Sequence, residues 1–275
     1  MEPISNATSV MWVASTRMRT DARDAIGAPS TYDRIGIGYS EIRRTDPVLA
    51  GRIWAALADA RTVLNVGAGS GSYEPPDRWV LAVEPSDVMI AQRPPDAAPV
   101  IQAPAEQLPL ADQTVDAAMA ILTLHHWQSV DAGLRELVRV VRDRVVLVTM
   151  DVGVLGALWI VRDYLPELLG QHAARFPTID RLRDLLPNAR VEVLPVPREC
   201  EDGFMAAFWA RPRANLDPTA RAATSPWHDL PAAVVDHALA QLQVNLDIGE
   251  WQRRHGNLLA RTELDVGLRL ITATK

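Results

Sequence analysis

The chain has 275 residues, 48% of them hydrophobic and 23% charged, so it can bury a core and disorder is not expected. Its net charge of −6, without a basic stripe, argues against a nucleic acid partner. The single cysteine, Cys200, excludes a disulfide framework and favours a reducing cytoplasm. The apolar stretches are too short to span a bilayer, so no membrane partner is expected.

Short apolar runs recur between residues 61 and 150 and predict strands. Near-continuous apolar runs are typical of strands that are buried on both faces of a parallel sheet. The predicted strands are Thr62–Val66, Val80–Val83, Val100–Ile101, Ala117–Leu124 and Arg144–Met150. Between the last two, Ser129–Arg142 carries leucine and valine at helical spacing, which completes a βαβ unit.

A glycine-rich turn, Gly67–Gly71 (GAGSG), directly follows the first predicted strand. Glycines at this place let the backbone pass close beneath a nucleotide-like ligand. Glu84 closes the second strand, where a carboxylate can accept hydrogen bonds from both hydroxyls of a ribose. The turn and the acid together predict binding of a ligand that contains adenosine.

Two features distinguish this turn from a dinucleotide site. Ser72 replaces the third glycine of a G-x-G-x-x-G pattern, and only Ser72–Trp79 separates the turn from the next strand. With Pro75 and Pro76 in that segment, no room is left for a helix whose N-terminus would hold a pyrophosphate. The ligand therefore needs an adenosine but no phosphates, a description that fits S-adenosylmethionine.

At these positions the sequence resembles the class I S-adenosylmethionine-dependent methyltransferases, in the type 11-like branch that acts on small molecules. The resemblance extends from about Tyr32 to Met150 and rests on five motifs. They are VLNVGAGSGSYE (Val63–Glu74), VEPSDVMIAQR (Val83–Arg93), AEQLPLADQTVDAAM (Ala105–Met119), LTLHHW (Leu122–Trp127) and GLRELVRVVR (Gly133–Arg142). The motifs are specific for the fold and the cofactor, not for the acceptor.

The strand pattern and the resemblance predict an α/β fold: a Rossmann-like, doubly wound, seven-stranded and mainly parallel sheet with a helical cap. Residues 1–60 are expected to form an N-terminal arm and lid helices, and residues 61–150 the cofactor-binding core. Residues 151–275 add the cap and the last two strands, predicted at Val191–Leu194 and Leu264–Thr274. By resemblance, the last strand inserts antiparallel.

The family pattern also implies which residues bind S-adenosylmethionine. Gly67, Ala68 and Gly69 would line its methionine part, and Glu84 would hold the ribose. Asn65 departs from the pattern, because the family more often has aspartate at this place in the first strand.

The family pattern also implies which residues contact the adenine, and they lie in two segments. Pro85 and Met89 would flank the ring, and Ala105 with Glu106 would meet its edge. In the arm, Tyr32 is expected to act as a lid residue, with its phenol near the sulfonium or the carboxylate. The alternative is that this part of the arm is a helix that packs on the sheet.

Arg43 or Arg44 could bind the methionine carboxylate through two parallel hydrogen bonds, and we predict that Arg44 does so. The alternative for either arginine is a solvated surface position.

The end of the fourth strand is the place where the acceptor should approach. The resemblance puts Leu122 and Thr123 beneath the sulfonium, and His125 and His126 follow them. One histidine, preferably His126, is predicted to act as a base or to orient the acceptor. The alternative is that both pack against or cap the next helix. On an extended segment, neighbouring side chains would point to opposite sides.

The expected function is methyl transfer to O, N or C of a small molecule in secondary metabolism, by a cytoplasmic monomer or homodimer. Three alternatives stay open: a cyclisation or rearrangement that uses S-adenosylmethionine without methylation, a nicotinamide-dependent oxidoreductase, and an inactive homologue or binding protein. The missing third glycine and the short first crossover argue against the oxidoreductase. No metal site is predicted, because the other histidines lack metal-ligand spacing.

Overall fold

A computed structural model describes residues 39–171 and 173–275. Its centre is a seven-stranded sheet with the strand order β3-β2-β1-β4-β5-β9-β6. Neighbours are parallel from β3 to β5, and β9 lies antiparallel between β5 and β6. The strands are β1 Thr62–Val66, β2 Trp79–Val83, β3 Val100–Ile101, β4 Val115–Ile121, β5 Val141–Met150, β6 Arg190–Val193, β7 Val196–Pro197, β8 Glu263–Leu264 and β9 Leu268–Thr274. The predicted Rossmann-like α/β fold, with its antiparallel last strand, is confirmed.

Helices flank the sheet and form most of the chain after β5. In chain order they are α1 Tyr39–Ile42, α2 Pro47–Ala56, α3 Asp87–Ile90, α4 Val130–Val140, α5 Val152–Leu155, α6 Trp159–Tyr164, α7 Leu168–Gln171, α8 Ile179–Leu185, α9 Pro218–Ala222, α10 Ser225–His228, α11 Ala232–Asp247 and α12 Glu250–His255. Short 3₁₀ helices cover Leu124–His126, Ala173–Arg175, Met205–Phe208, Pro212–Leu216 and Gly256–Ala260. Within the described ranges, none of the helices has the length and apolar character needed to cross a membrane.

Both faces of the sheet are covered, which explains why its strands read as continuous apolar runs. In β1, Val63 packs into the cluster that holds Leu49 of α2. Its neighbour Leu64 points to the opposite face and packs with Leu134 of α4. Because successive strand residues alternate between faces, a strand covered on both sides needs apolar residues at every position.

Strand boundaries differ from the prediction most clearly where the backbone changes direction. The fourth strand ends at Ile121 rather than Leu124, because Leu122 has a φ of 53° and the chain then turns into a 3₁₀ helix. The predicted seventh strand is interrupted at Gly267, whose φ is 98° and whose missing side chain leaves room for the Asp151 carbonyl oxygen. Apolar composition alone does not reveal such breaks in backbone direction.

A buried carboxylate joins two helices of the cap. Asp163, on α6, is 6% exposed and contacts Arg162, Arg254 and His255, the last at 2.9 Å. Nearby, Trp159 packs edge-on against Trp251 of α12 at 5.4 Å between ring centres. Although burial raises the pKa of Asp163, the hydrogen bond and charge of Arg162, with the charges of Arg254 and His255, hold it below its ordinary value.

Replacing this carboxylate should destabilise the cap. We expect Asp163→Asn to lower the free energy of unfolding by about 1–3 kcal/mol at neutral pH, since hydrogen bonds to charged groups are lost. A carboxylate with a depressed pKa stabilises the fold above its unfolded pKa of about 3.9, so the difference from wild type should narrow as the pH falls below about 4. Denaturant unfolding at several pH values measures both effects.

The matched control is Asp180→Asn. The Asp180 side chain is 89% exposed and pairs with Arg183 one turn further along α8. Exposed pairs contribute at most about 1 kcal/mol, so this variant should unfold close to wild type. Equal destabilisation by both variants, or none by Asp163→Asn, would contradict the structural role given to Asp163.

Candidate active site

The carboxyl ends of β1 and β4 come very close together at Gly67. This glycine has a φ of 68°, and a Cβ atom built on it would lie 2.1 Å from Oγ1 of Thr123. The Gly67 and Ala68 backbone N–H groups both donate to the Val83 carbonyl oxygen at the end of β2. Three strand ends therefore meet in a turn whose first position admits glycine only.

Glu84 holds the glycine turn from the second strand. Its side chain accepts hydrogen bonds from Gly69 N at 2.8 Å and from Ser86 N at 2.9 Å, and the residue is buried. A carboxylate at this place, directly after the second strand, can accept hydrogen bonds from ribose hydroxyls. A bare cradle of glycine backbone beside a buried carboxylate fits the ribose and methionine parts of S-adenosylmethionine.

As predicted, the described segment between β1 and β2 forms no helix. An ion pair lies beside this segment. Arg93 Nη2 donates to both Glu74 oxygens, at 2.8 and 3.0 Å, and Arg93 Nη1 donates to the Gly69 carbonyl oxygen at 3.3 Å. Asn65 Nδ2 donates to Glu74 Oε1 at 3.2 Å. Asn65 therefore fits because its amide is a donor, whereas aspartate would bring a second carboxylate against Glu74.

The residues predicted to surround the adenine lie on α3, just before it, and in the loop after β3. Met89 is buried on α3, and its Cε would lie 3.2 Å from a Cβ on Gly69. Pro85 is exposed and Ala105 is buried. Glu106 is half-buried, and its Oε1 accepts a hydrogen bond from Ser129 N at 3.0 Å, which links its loop to α4.

The two arginines of the arm point in different directions. Arg44, the predicted carboxylate ligand, is exposed and its Nε donates to the Glu41 carbonyl oxygen at 2.8 Å. Arg43 instead turns inward and donates through Nε and Nη2 to the buried carboxylate of Asp202. Arg43 is thus held by a carboxylate of the protein itself, and Arg44 as the ligand of the methionine carboxylate stays a prediction. Tyr32, the predicted lid residue, lies outside the described residues.

A buried polar cluster surrounds this arginine. Arg43 Nη1 donates to the Tyr39 hydroxyl at 3.0 Å, and the Tyr73 hydroxyl donates to Asp202 Oδ2 at 3.0 Å. Burial and the charge of Asp202 raise the pKa of Tyr73, so this phenol remains a donor at neutral pH. The cluster fastens α1, the segment after the glycine turn and the cap to one another.

The two histidines do not lie on an extended segment. They belong to the 3₁₀ helix after β4, and their rings lie 3.9 Å apart at a tilt of 45°, so the expectation that they point to opposite sides is wrong. His125 also stacks on Phe176, with 4.2 Å between ring centres. The turn that begins at Leu122 bends the chain and brings both rings to neighbouring positions.

A cavity opens beside His125, past the carboxyl ends of β4 and β5. It encloses about 500 Å³ of space that connects with solvent. The described residues that line it are Arg43, Leu122, His125, Met150, Leu155, Phe176, Phe204, Met205, Ala206, Thr224, Ser225 and Pro226. His126 is not among them, and most of the cavity wall comes from segments of the cap.

Comparison with known proteins places this chain in a family. A family model described as a methyltransferase domain matches residues 64–149. A "putative methyltransferase from antibiotic biosynthesis pathway" of Anabaena variabilis is 30% identical, with a TM-score of 0.80 over 86% of this chain and 100% of that one. Among curated proteins, no sequence match is found.

More distant structures share the fold alone. A "possible histamine N-methyltransferase" of Thermotoga maritima is 17% identical, with a TM-score of 0.55 over 89% of this chain and 98% of that one. A phosphoethanolamine N-methyltransferase of Haemonchus contortus, solved with S-adenosyl-L-methionine, is 13% identical, with a TM-score of 0.54 over 94% of this chain and 58% of that one.

The fold, the glycine turn and the 30% identity to a relative that is covered over its full length all indicate the same class of enzyme. The chain belongs to the class I S-adenosylmethionine-dependent methyltransferases, in the type 11 branch. It is an enzyme whose cofactor is S-adenosylmethionine.

Replacing Glu84 should weaken binding of the cofactor product S-adenosylhomocysteine. Charge-assisted hydrogen bonds contribute about 1.5–3 kcal/mol each, so we expect Glu84→Ala to raise the dissociation constant by about tenfold or more. Asp87→Ala, which removes an exposed acid three residues away, should leave the constant unchanged. Calorimetry with both variants measures this, and unchanged affinity in Glu84→Ala would mean that the ribose binds elsewhere.

The network beneath the turn makes a second prediction. Asn65→Asp places two carboxylates against each other near a single arginine, so S-adenosylhomocysteine should bind about tenfold more weakly, which corresponds to about 1.4 kcal/mol. The double variant Asn65→Asp/Glu74→Gln restores one donor and one acceptor and should recover most of the affinity. Tighter binding in Asn65→Asp alone would contradict the donor role of Asn65.

Proposed function

We propose that this enzyme transfers the methyl group of S-adenosylmethionine to a small molecule bound in the cavity beside His125. The observation that carries the proposal is that the cavity opens at Leu122, where the family pattern expects the sulfonium. We assign the setting to secondary metabolism in the cytoplasm. The antibiotic-pathway relative and the single, buried cysteine support that assignment.

The proposed cofactor site follows the glycine turn. Its residues are Gly67, Ala68, Gly69, Glu84, Pro85, Met89, Ala105, Glu106, Leu122 and Thr123. Support comes from the bond between Glu84 and Gly69, and from the packing of Met89 against the same turn. Residues 151–275 would act as the cap, because they supply most of the cavity wall.

Methyl transfer depends mainly on aligning the acceptor with the methyl group and on excluding water, and less on acid or base groups of the protein. Bound S-adenosylmethionine supplies an electrophilic methyl group on a cationic sulfur. The apolar cavity wall would exclude water and hold the acceptor in line with that methyl. Where the acceptor carries a proton, a neutral imidazole at the cavity would receive it.

We assign the base to His125 rather than to His126. His125 lines the cavity, and stacking on Phe176 restricts its ring to one orientation. His126 lies behind it and supports it through ring contact. The preference for His126 relied on an extended strand end, which the 3₁₀ helix replaces.

The test measures S-adenosylhomocysteine formed with a panel of small acceptors, in wild type and in two histidine variants. His125→Ala should lower kcat by about 10²–10⁴-fold with little change in affinity for S-adenosylhomocysteine. His126→Ala, the matched control, should retain most of the rate. The wild-type rate should rise with pH, because only the neutral ring accepts a proton.

Two results would contradict this proposal, and each contradicts a different part of it. Turnover of an acceptor without S-adenosylhomocysteine would favour a cyclisation or rearrangement over methyl transfer. Full activity of a folded His125→Ala enzyme at every pH would show that alignment alone carries the reaction.

A further inference from the structure

The wall of the acceptor cavity is apolar and partly aromatic. Phe176 and Phe204 contribute rings, and Met150, Leu155 and Met205 contribute flexible or branched apolar side chains. Ligand sites are typically lined in this way, by apolar and aromatic side chains with a few polar groups. Two phenyl rings and two methionines favour a flat, polarisable body over an extended polar chain.

The one permanent charge on the described cavity wall, Arg43, is paired with the buried carboxylate of Asp202. Among the described lining residues, Arg43 is the permanent cation, and none of them is an aspartate or a glutamate. The carboxylate that meets Arg43 is Asp202, which is itself buried and also accepts a hydrogen bond from the Tyr73 hydroxyl. Once the sulfonium of the cofactor is bound, a second cation enters the same region.

An acceptor that carries an ammonium group is therefore disfavoured. It would leave water for a cavity whose described wall offers it no carboxylate, at the cost of desolvating an unpaired charge. It would also meet the sulfonium, which carries a charge of the same sign. A developing oxyanion, by contrast, would be stabilised by the sulfonium.

Two polar side chains can meet a hydroxyl group at this wall. Ser225, at the start of α10, is buried and lines the cavity. The neighbouring Thr224 hydroxyl already donates to the Arg221 carbonyl oxygen at 3.2 Å. Ser225 and His125 are thus the groups that can orient one hydroxyl in an otherwise apolar site.

We infer that the acceptor is an uncharged ring compound with an acidic hydroxyl, a phenol or an enol, and that an oxygen receives the methyl group. This inference rests on the proposed function and narrows its acceptor. The hydroxyl proton passes to His125 and the oxygen forms a bond to the methyl carbon. The carbon–sulfur bond breaks with its electron pair kept by sulfur, which gives S-adenosylhomocysteine, and the imidazolium releases its proton to solvent.

The experiment compares two probes of similar shape and different charge. Protein saturated with S-adenosylhomocysteine is titrated by calorimetry at neutral pH with 2-naphthol, which is neutral, and with 2-naphthylmethylamine, which is cationic. We expect 2-naphthol to bind at least about tenfold more tightly. Equal or tighter binding of the amine, or no binding of 2-naphthol, would overturn the inference.

A variant should reverse the preference. Ser225→Asp introduces a carboxylate into the wall, so the amine should become the tighter ligand, whereas the uncharged control Ser225→Asn should keep the wild-type order. Affinity for S-adenosylhomocysteine in each variant reports that the fold is retained. If Ser225→Asp does not fold, the wild-type comparison decides alone. If a folded Ser225→Asp protein still prefers 2-naphthol by the wild-type ratio, the charge argument is wrong.

These outcomes are separate from failure of the proposed function. S-adenosylhomocysteine that does not bind wild type would contradict the cofactor site itself. S-adenosylhomocysteine that binds, together with turnover of amines instead of phenols, would retain methyl transfer and overturn the acceptor class.

Discussion

The close approach of Gly67 to Thr123 is the constraint on which the active-site edge of the sheet depends. Any side chain at Gly67 would meet Thr123 Oγ1, so the ends of β1 and β4 converge only around glycine. In the same turn, Gly69 N donates to Glu84, which follows β2, and the Gly69 carbonyl oxygen accepts a hydrogen bond from Arg93. Because β1 lies between β2 and β4, this edge is the point where the sheet reverses its winding, the usual ligand position in open α/β sheets.

A second junction couples the acceptor cavity to the stability of the cap. Gly203 N donates to the Ile42 carbonyl oxygen at 3.0 Å, and a Cβ on Gly203 would lie 2.4 Å from Ile42 Cγ2. This contact brings Asp202 to Arg43 and leaves Phe204 in the cavity wall. Substitutions in this short segment should therefore change acceptor binding and folding together, whereas those at Glu84 should act on the cofactor.

The sequence predicts the sheet well, because a strand that is buried on both faces is a continuous apolar run. Glu84 is recognisable because it directly follows such a run. The sequence does not predict the cavity. Phe176, Phe204 and Ser225 come from segments far apart in the chain, joined only by cap packing. The sequence also does not distinguish neighbours. That Arg43 rather than Arg44 reaches Asp202, and that His125 rather than His126 lines the cavity, depends on local turns such as the positive φ of Leu122.

A crystal structure of the protein with S-adenosylhomocysteine tests the central claim most directly. The account predicts that the ribose hydroxyls donate to Glu84, that the homocysteine part lies along Gly67–Gly69, and that the sulfur faces Leu122 and the cavity beside His125. A ribose bound away from Glu84, or a sulfur that points away from that cavity, would contradict it.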